Sequence, residues 1–219
     1  MTAAGSAAGG TAGHFADPRE AADLGTFLTR LIRFDRAAAV RLQTANLGLA
    51  VFARLPLGES APLTVRTARL AEGEDGLDRT VSAGQLLDAV GDSTALLLPD
   101  PITGPAWAGL LPPRTGWEHL ADLPTEPLRA AVQAAVTEFR RESADADALA
   151  ESIWSRQLHP SGLSVRAVHA AHLVGLLQQS DLIALHRHPA WLRLSAPRGY
   201  VIIRRAPAPG AGLGLTPTR

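Results

Sequence analysis

The chain has 219 residues, enough for one large domain or two small ones, and its 46% hydrophobic and 5% aromatic content means a core built mainly from Ala, Leu and Val. It has no Cys, which excludes disulfides, thiol catalysis and cysteine-based zinc sites. Its 21 basic residues, all Arg, match 21 acidic ones, but unevenly: residues 1–149 hold 13 Arg and 19 acids (net −6), whereas residues 150–219 hold 8 Arg with only Glu151 and Asp181 (net +6) and five of the seven His. Either the two parts attract each other, or the basic part faces an acidic partner such as nucleic acid.

Residues 1–14 read as a disordered tail, and Met1–Gly13 lacks the basic and apolar regions of a secretory signal. Asp17, Pro18 and Glu20 then open a helix over 18–33, with Leu24, Phe27, Leu28, Leu31 and Ile32 on one side. Period-2 alternation over 36–43, 47–55 and 63–70, with short connections, predicts an antiparallel meander. It places Arg41, Arg54 and Arg66 on one face with Phe52. An acidic loop (72–79) follows. Ser82 with Gln85 caps a helix carrying Leu86, Leu87 and Val90, and 94–98 is a short buried strand.

Residues 99–119 form a connector rich in Pro and Gly, with Trp107, Arg114 and Trp117. A loop this long either is pinned to the sheet by its indoles or forms a partner or ligand loop with Arg114 as its charged contact. Beyond it, residues 125–142 make a helix with a continuous apolar stripe. A second helix holds Leu149, Ile153 and Trp154, and a third spans about 165–178 behind Ser164. Strand-like segments at 182–187, 191–195 and 199–205 precede a disordered tail, 206–219.

The expected architecture is therefore α+β in two modules. Residues 15–98 hold the N-terminal helix, the antiparallel meander, a second helix and a strand. Residues 120–205 hold three helices and a β-hairpin. The order helix, helix, turn, helix, hairpin over 125–205 resembles the winged-helix family of DNA-binding domains, which implies a third helix in the major groove and a basic wing. Arg166, Arg187, Arg193, Arg198, Arg204 and Arg205 are the phosphate-contact candidates on that resemblance. The element order of 18–98 resembles the type III secretion chaperone-like class, which implies a non-catalytic protein-binding domain.

No G-x-S-x-G elbow or Walker A sequence is present. His169 with His172, and His186 with His188, have spacings that metals use, but no Cys joins them, so no metal or cofactor is expected. The expectation is a cytoplasmic, non-enzymatic protein-binding or regulatory adaptor, with an unknown protein, or a second copy of the chain, as partner and no membrane contact. The alternative is a nucleic-acid-binding regulator acting through the basic module. A third reading is an enzyme with a motif-free site around Arg114 and the C-terminal His.

Overall fold

The computed structural model describes residues 10–58, 60–91, 94–141 and 146–205. The tail expected at 206–219, and residues 1–9 of the N-terminal one, lie outside these. The strands are β1 (Thr11–Phe15), β2 (Ala39–Ala45), β3 (Gly48–Arg54), β4 (Leu63–Gly73), β5 (Asp78–Ser82), β6 (Ala95–Leu97), β7 (Glu118–Pro124), β8 (Gln157–His159), β9 (Leu163–Ser164), β10 (Leu182–His188), β11 (Trp191–Ala196) and β12 (Gly199–Arg204). The helices are α1 (Pro18–Phe34), α2 (Ala83–Val90), α3 (Thr125–Arg141), α4 (Ala146–Trp154) and α5 (Val165–Leu173).

Local chemistry sets the helix starts. The Asp17 carboxylate accepts a hydrogen bond from the Arg19 amide at 2.7 Å, and Pro18 supplies the first helical φ of α1. Ser82 and Ser164 cap α2 and α5 in the same manner. The β2–β3 hairpin turns through Asn46 (φ 48°) and Leu47 (φ 59°), a left-handed pair that matches the twist of the flanking strands.

One antiparallel sheet organises the molecule. Its main path runs β5-β2-β3-β4-β12-β11-β10-β7, and the far end of β4 continues into β1 and β6, making ten strands. Two meanders, β2-β3-β4 and β10-β11-β12, meet where β4 pairs with β12 through Leu63↔Ile202 to Arg66↔Gly199. Gly199 is required at this seam, because a Cβ there would stand 2.3 Å from the Val65 carbonyl oxygen.

The helices supply the core from one side. Leu24, Leu28 and Leu31 of α1, Leu86 of α2, Val132 of α3 and Val168 of α5 pack on Leu42, Leu49, Val51, Leu185, Leu194 and Val201 of the sheet. Arg66 also points to this side. It is almost fully buried and reaches Asp23 of α1 at 3.0 Å and the Arg198 carbonyl at 2.6 Å, while Arg198 in turn pairs with Asp23. The two parts of the chain are thus joined by a shared sheet and by a charge cluster.

The winged-helix-like architecture expected for 120–205 does not hold. The segments expected to form a wing are the interior strands β10, β11 and β12 of the large sheet, flanked by β7 and β4. The third helix, α5, lies against β11 and β12 with Val165, Arg166, Ala167, Val168, Ala170 and Ala171 buried. It has no outward reading face. The molecule is a sheet-rich α+β fold.

Three further corrections concern short strands. Residues 11–14, expected in the tail, belong to β1 and pair with β4 and β6. Part of the acidic loop belongs to β4 and β5, and residues 118–119 of the connector open β7. Each of these strands is short or partly polar, and its pairing partner is distant in sequence. Among the described residues no helix is long and apolar enough to cross a membrane.

Candidate binding face of the sheet

The helices cover one face of the sheet, and the connector covers the other. Residues 98–117 run back across the strands as a strap. The Ile102 amide donates to the Thr80 carbonyl at 2.9 Å, the Arg41 guanidinium donates to the Ala108 carbonyl, and Arg114 donates to the Gln43 side-chain oxygen at 3.0 Å. Trp117 closes its own turn by donating from Nε1 to the Pro113 carbonyl at 3.0 Å, and its ring lies 5.6 Å from that of His188. Phe52, Leu63, Val65, Ala108, Trp191 and Ile202 are buried on this side, apart from the helix-side core.

Alternation explains the side chains that face the strap. Arg41 pairs with Phe52, Phe52 with Val65, and Val65 with Tyr200 across four neighbouring strands. In the next rows, Arg193 stands opposite Ile202 and Trp191 opposite Arg204. Odd and even positions point to opposite faces, so Arg54 joins this set while Arg66 does not. The expected grouping of Arg41, Arg54 and Arg66 on one face is corrected accordingly: β4 pairs Arg66 with Val51, a core residue.

Guanidinium groups and rings interleave on this face. The Arg193 guanidinium carbon lies 4.6 Å from the centre of the Trp117 ring and 5.6 Å from that of Tyr200. Arg204 lies 5.0 Å from the Trp191 ring. Burial lowers the pKa of Arg193 and raises that of Tyr200. Arg193 Nε is buried without a hydrogen-bond partner. By contrast Arg41 is firmly paired with Asp78 (2.5 Å), a bond that raises the pKa of Arg41 and lowers that of Asp78.

Two clefts flank the strap. One, of about 700 Å³, lies between Leu111, Pro112, Arg114 and Trp117 of the strap and Arg41, Phe52, Arg193 and Tyr200 of the sheet. The other, of about 590 Å³, lies beside Trp107 and Leu110, over Leu63, Trp191 and Ile202, with Arg54, Arg204 and Arg205 around it. The three residues expected to form a ligand loop are thus divided. Arg114 and Trp117 line the first cleft, and Trp107 lines the second.

The phosphate-contact candidates are dispersed. Arg166 is 6% exposed and bonded to Glu151 at 2.5 Å. Arg187 pairs with Glu118 at 2.7 Å across the β7–β10 edge, and Arg198 pairs with Asp23 on the helix side of the seam. Arg205 reaches the Pro189 carbonyl. Of the six, Arg193, Arg198, Arg204 and Arg205 border the clefts. The two His pairs lie on different elements, His169 and His172 on α5 and His186 and His188 on β10. His169 stacks on Trp154 at 4.6 Å with the rings 12° apart, His186 meets His119 edge-on at 5.5 Å, and His188 touches Trp117. Among the described residues no three His, Asp or Glu side chains converge on a metal position.

Sequence reading missed Trp191 and Tyr200 as site residues. Their signal was alternation with Arg193 and Arg204 along β11 and β12, which becomes a shared face only once those strands are known to be paired.

Residues 11–109 match the family model of a domain of unknown function (DUF8010), and residues 112–208 match that of another (DUF8185). The boundary between them falls in the strap. No curated protein matches. Among solved structures, the chain is similar to the DNA polymerase III subunit beta from Pseudomonas aeruginosa, with 12% identity and a TM-score of 0.52 over 87% of this chain and 64% of that one. A DNA polymerase sliding clamp from the same organism matches with 12% identity and a TM-score of 0.53, over 87% and 63%. The beta subunit from Thermotoga maritima matches with 12% identity and a TM-score of 0.52, over 91% and 65%. The chain therefore has a sliding-clamp-like fold and spans less than two thirds of the length of these structures. The likeness is one of fold.

Proposed function

We propose that the chain is a non-catalytic protein-interaction adaptor, and that its partner is an acidic polypeptide segment with apolar side chains, bound in the cleft beside Trp107. One observation carries this reading. The cleft is lined by Trp107, Leu110, Trp191 and Ile202, with Arg204 and Arg205 at its rim and no carboxylate among its described lining residues. Leu110 at its rim is 54% exposed and Ile102, also on the strap, 40%. An apolar floor with a cationic rim suits a segment that alternates acidic and apolar side chains.

Nucleic acid suits the face less well. Stacked bases need free ring faces, whereas Arg193 occupies Trp117 and Arg204 occupies Trp191. Arg166, Arg187 and Arg198 are already paired with carboxylates.

Selection from a random peptide library on the intact chain tests the proposal. The expected result is a set of acidic and apolar segments whose affinity falls at least tenfold in both Leu110→Asp and Arg204→Ala/Arg205→Ala. Peptides without acidic enrichment would overturn it. So would duplex DNA that binds more tightly than any peptide and is lost in the same variants.

A further inference from the structure

The cleft on the other side of the strap has a different chemistry. Among its described lining residues five are arginines, Arg41, Arg69, Arg114, Arg193 and Arg198, against one acid, Glu20. Three of the five are answered internally: Arg41 by Asp78, Arg198 by Asp23, and Arg69 by Glu20 at 3.8 Å. Arg114 has an amide oxygen as its partner, and Arg193 has only rings. Among the described residues no carboxylate forms an ion pair with either cation, and Asp78, whose pKa Arg114 helps to lower, is already bonded to Arg41.

Arg193 is oriented for recognition. Trp117 and Tyr200 hold its guanidinium while Nε has no acceptor. A fixed, partly desolvated guanidinium favours an oxyanion that can take two parallel hydrogen bonds. The rest of the lining includes the apolar Ala50, Phe52, Leu111, Pro112 and Ile202, with Gln43, Thr44 and Thr67 as neutral polar side chains. Its volume of about 700 Å³ lies in the range of small-molecule sites and far exceeds a bare oxyanion.

We infer that this cleft binds a small organic anion, a phosphate or carboxylate group on a planar apolar body, with Arg193 and Arg114 holding the anion and Phe52 and Ile202 receiving the body. The two clefts share Ile202 but no arginine, so arginine variants test this inference independently of the partner reading.

The test uses tryptophan fluorescence and calorimetry on the intact chain with 1-naphthyl phosphate, 1-naphthoate and uncharged 1-naphthol. At least one of the two anions is expected to bind saturably and at least tenfold more tightly than 1-naphthol. Whichever anion binds more tightly assigns the ligand as a phosphate ester or a carboxylate. Arg193→Met is expected to weaken that binding at least tenfold. Arg114→Gln, at an exposed position, is expected to weaken it about threefold, and Arg204→Ala/Arg205→Ala to leave it unchanged. Absence of binding by both anions would overturn the inference. So would 1-naphthol binding as tightly as the anions, or wild-type affinity in both Arg193→Met and Arg114→Gln.

Discussion

The two faces of the sheet are built from the same strands and hold different chemistry. On the helix side, aliphatic side chains from α1, α2, α3 and α5 interlock with Leu42, Leu49 and Val51, and the buried cation Arg66 is matched by Asp23. On the strap side, burial is shared with arginines, and two of these, Arg193 and Arg204, rest on indoles with no carboxylate among the described residues. Interiors selected for stability pair their charges or exclude them. Cations held on rings beside open clefts mark the face where a partner can supply the missing anion.

The strongest test of this contrast sets one residue from each face side by side. Leu42→Ala removes a side chain with no exposure from the helix-side core and is expected to cost about 3 kcal/mol in denaturant unfolding. Arg193→Met is expected to change stability by less than about 1 kcal/mol, because losing the ring contacts is offset by removing an unsatisfied Nε. Equal losses would abolish the distinction.

A smaller effect belongs to the helix side at low pH. Burial, with His172 nearby, lowers the His169 pKa to about 4 from an ordinary 6.5. The folded state thus favours neutral imidazole, and its advantage is lost as the pH falls from about 6.5 to 4, where the unfolded chain takes up the proton first. After allowance for partial exposure the loss is about 2 kcal/mol. His169→Phe, which keeps a ring against Trp154, should remove that part of the pH dependence when unfolding is compared at pH 7 and pH 4.5.

The smallest expected effect is a gain. Leu47 has a left-handed backbone at an exposed turn, so Leu47→Gly should stabilise by about 0.5–1 kcal/mol by relieving a β-carbon clash. A loss on thermal unfolding would show that its side chain contributes a contact that outweighs the backbone.

What could be read in the sequence follows the range of the interactions. Asp17-Pro18 and the Leu24–Leu31 spacing mark α1 because a cap and a 3.6-residue period are local. The alternation at Val40, Leu42, Leu49 and Val51 marks the first meander for the same reason. The place of β12 beside β4 depends on Tyr200 meeting Val65 from far along the chain, and no short window carries that pairing. A hairpin and a pair of interior strands have the same local pattern, so β10–β12 resembled a wing. β7 (Glu118–Pro124) escaped notice because an edge strand half open to water keeps polar residues on both faces. The clefts were hidden too: Arg41, Phe52, Trp117, Arg193 and Tyr200 come together only when the sheet and strap do.

The strap also acts as a leash. The seam between the meanders rests on the pairing of Leu63–Arg66 with Gly199–Ile202 and on the Asp23 cluster. The strap keeps those edges at a high effective concentration. Cutting it between Gly109 and Leu110, next to the boundary of the two matched regions, would turn an intramolecular closure into a bimolecular one. The cleaved protein would then become less stable on dilution, whereas the intact chain would not.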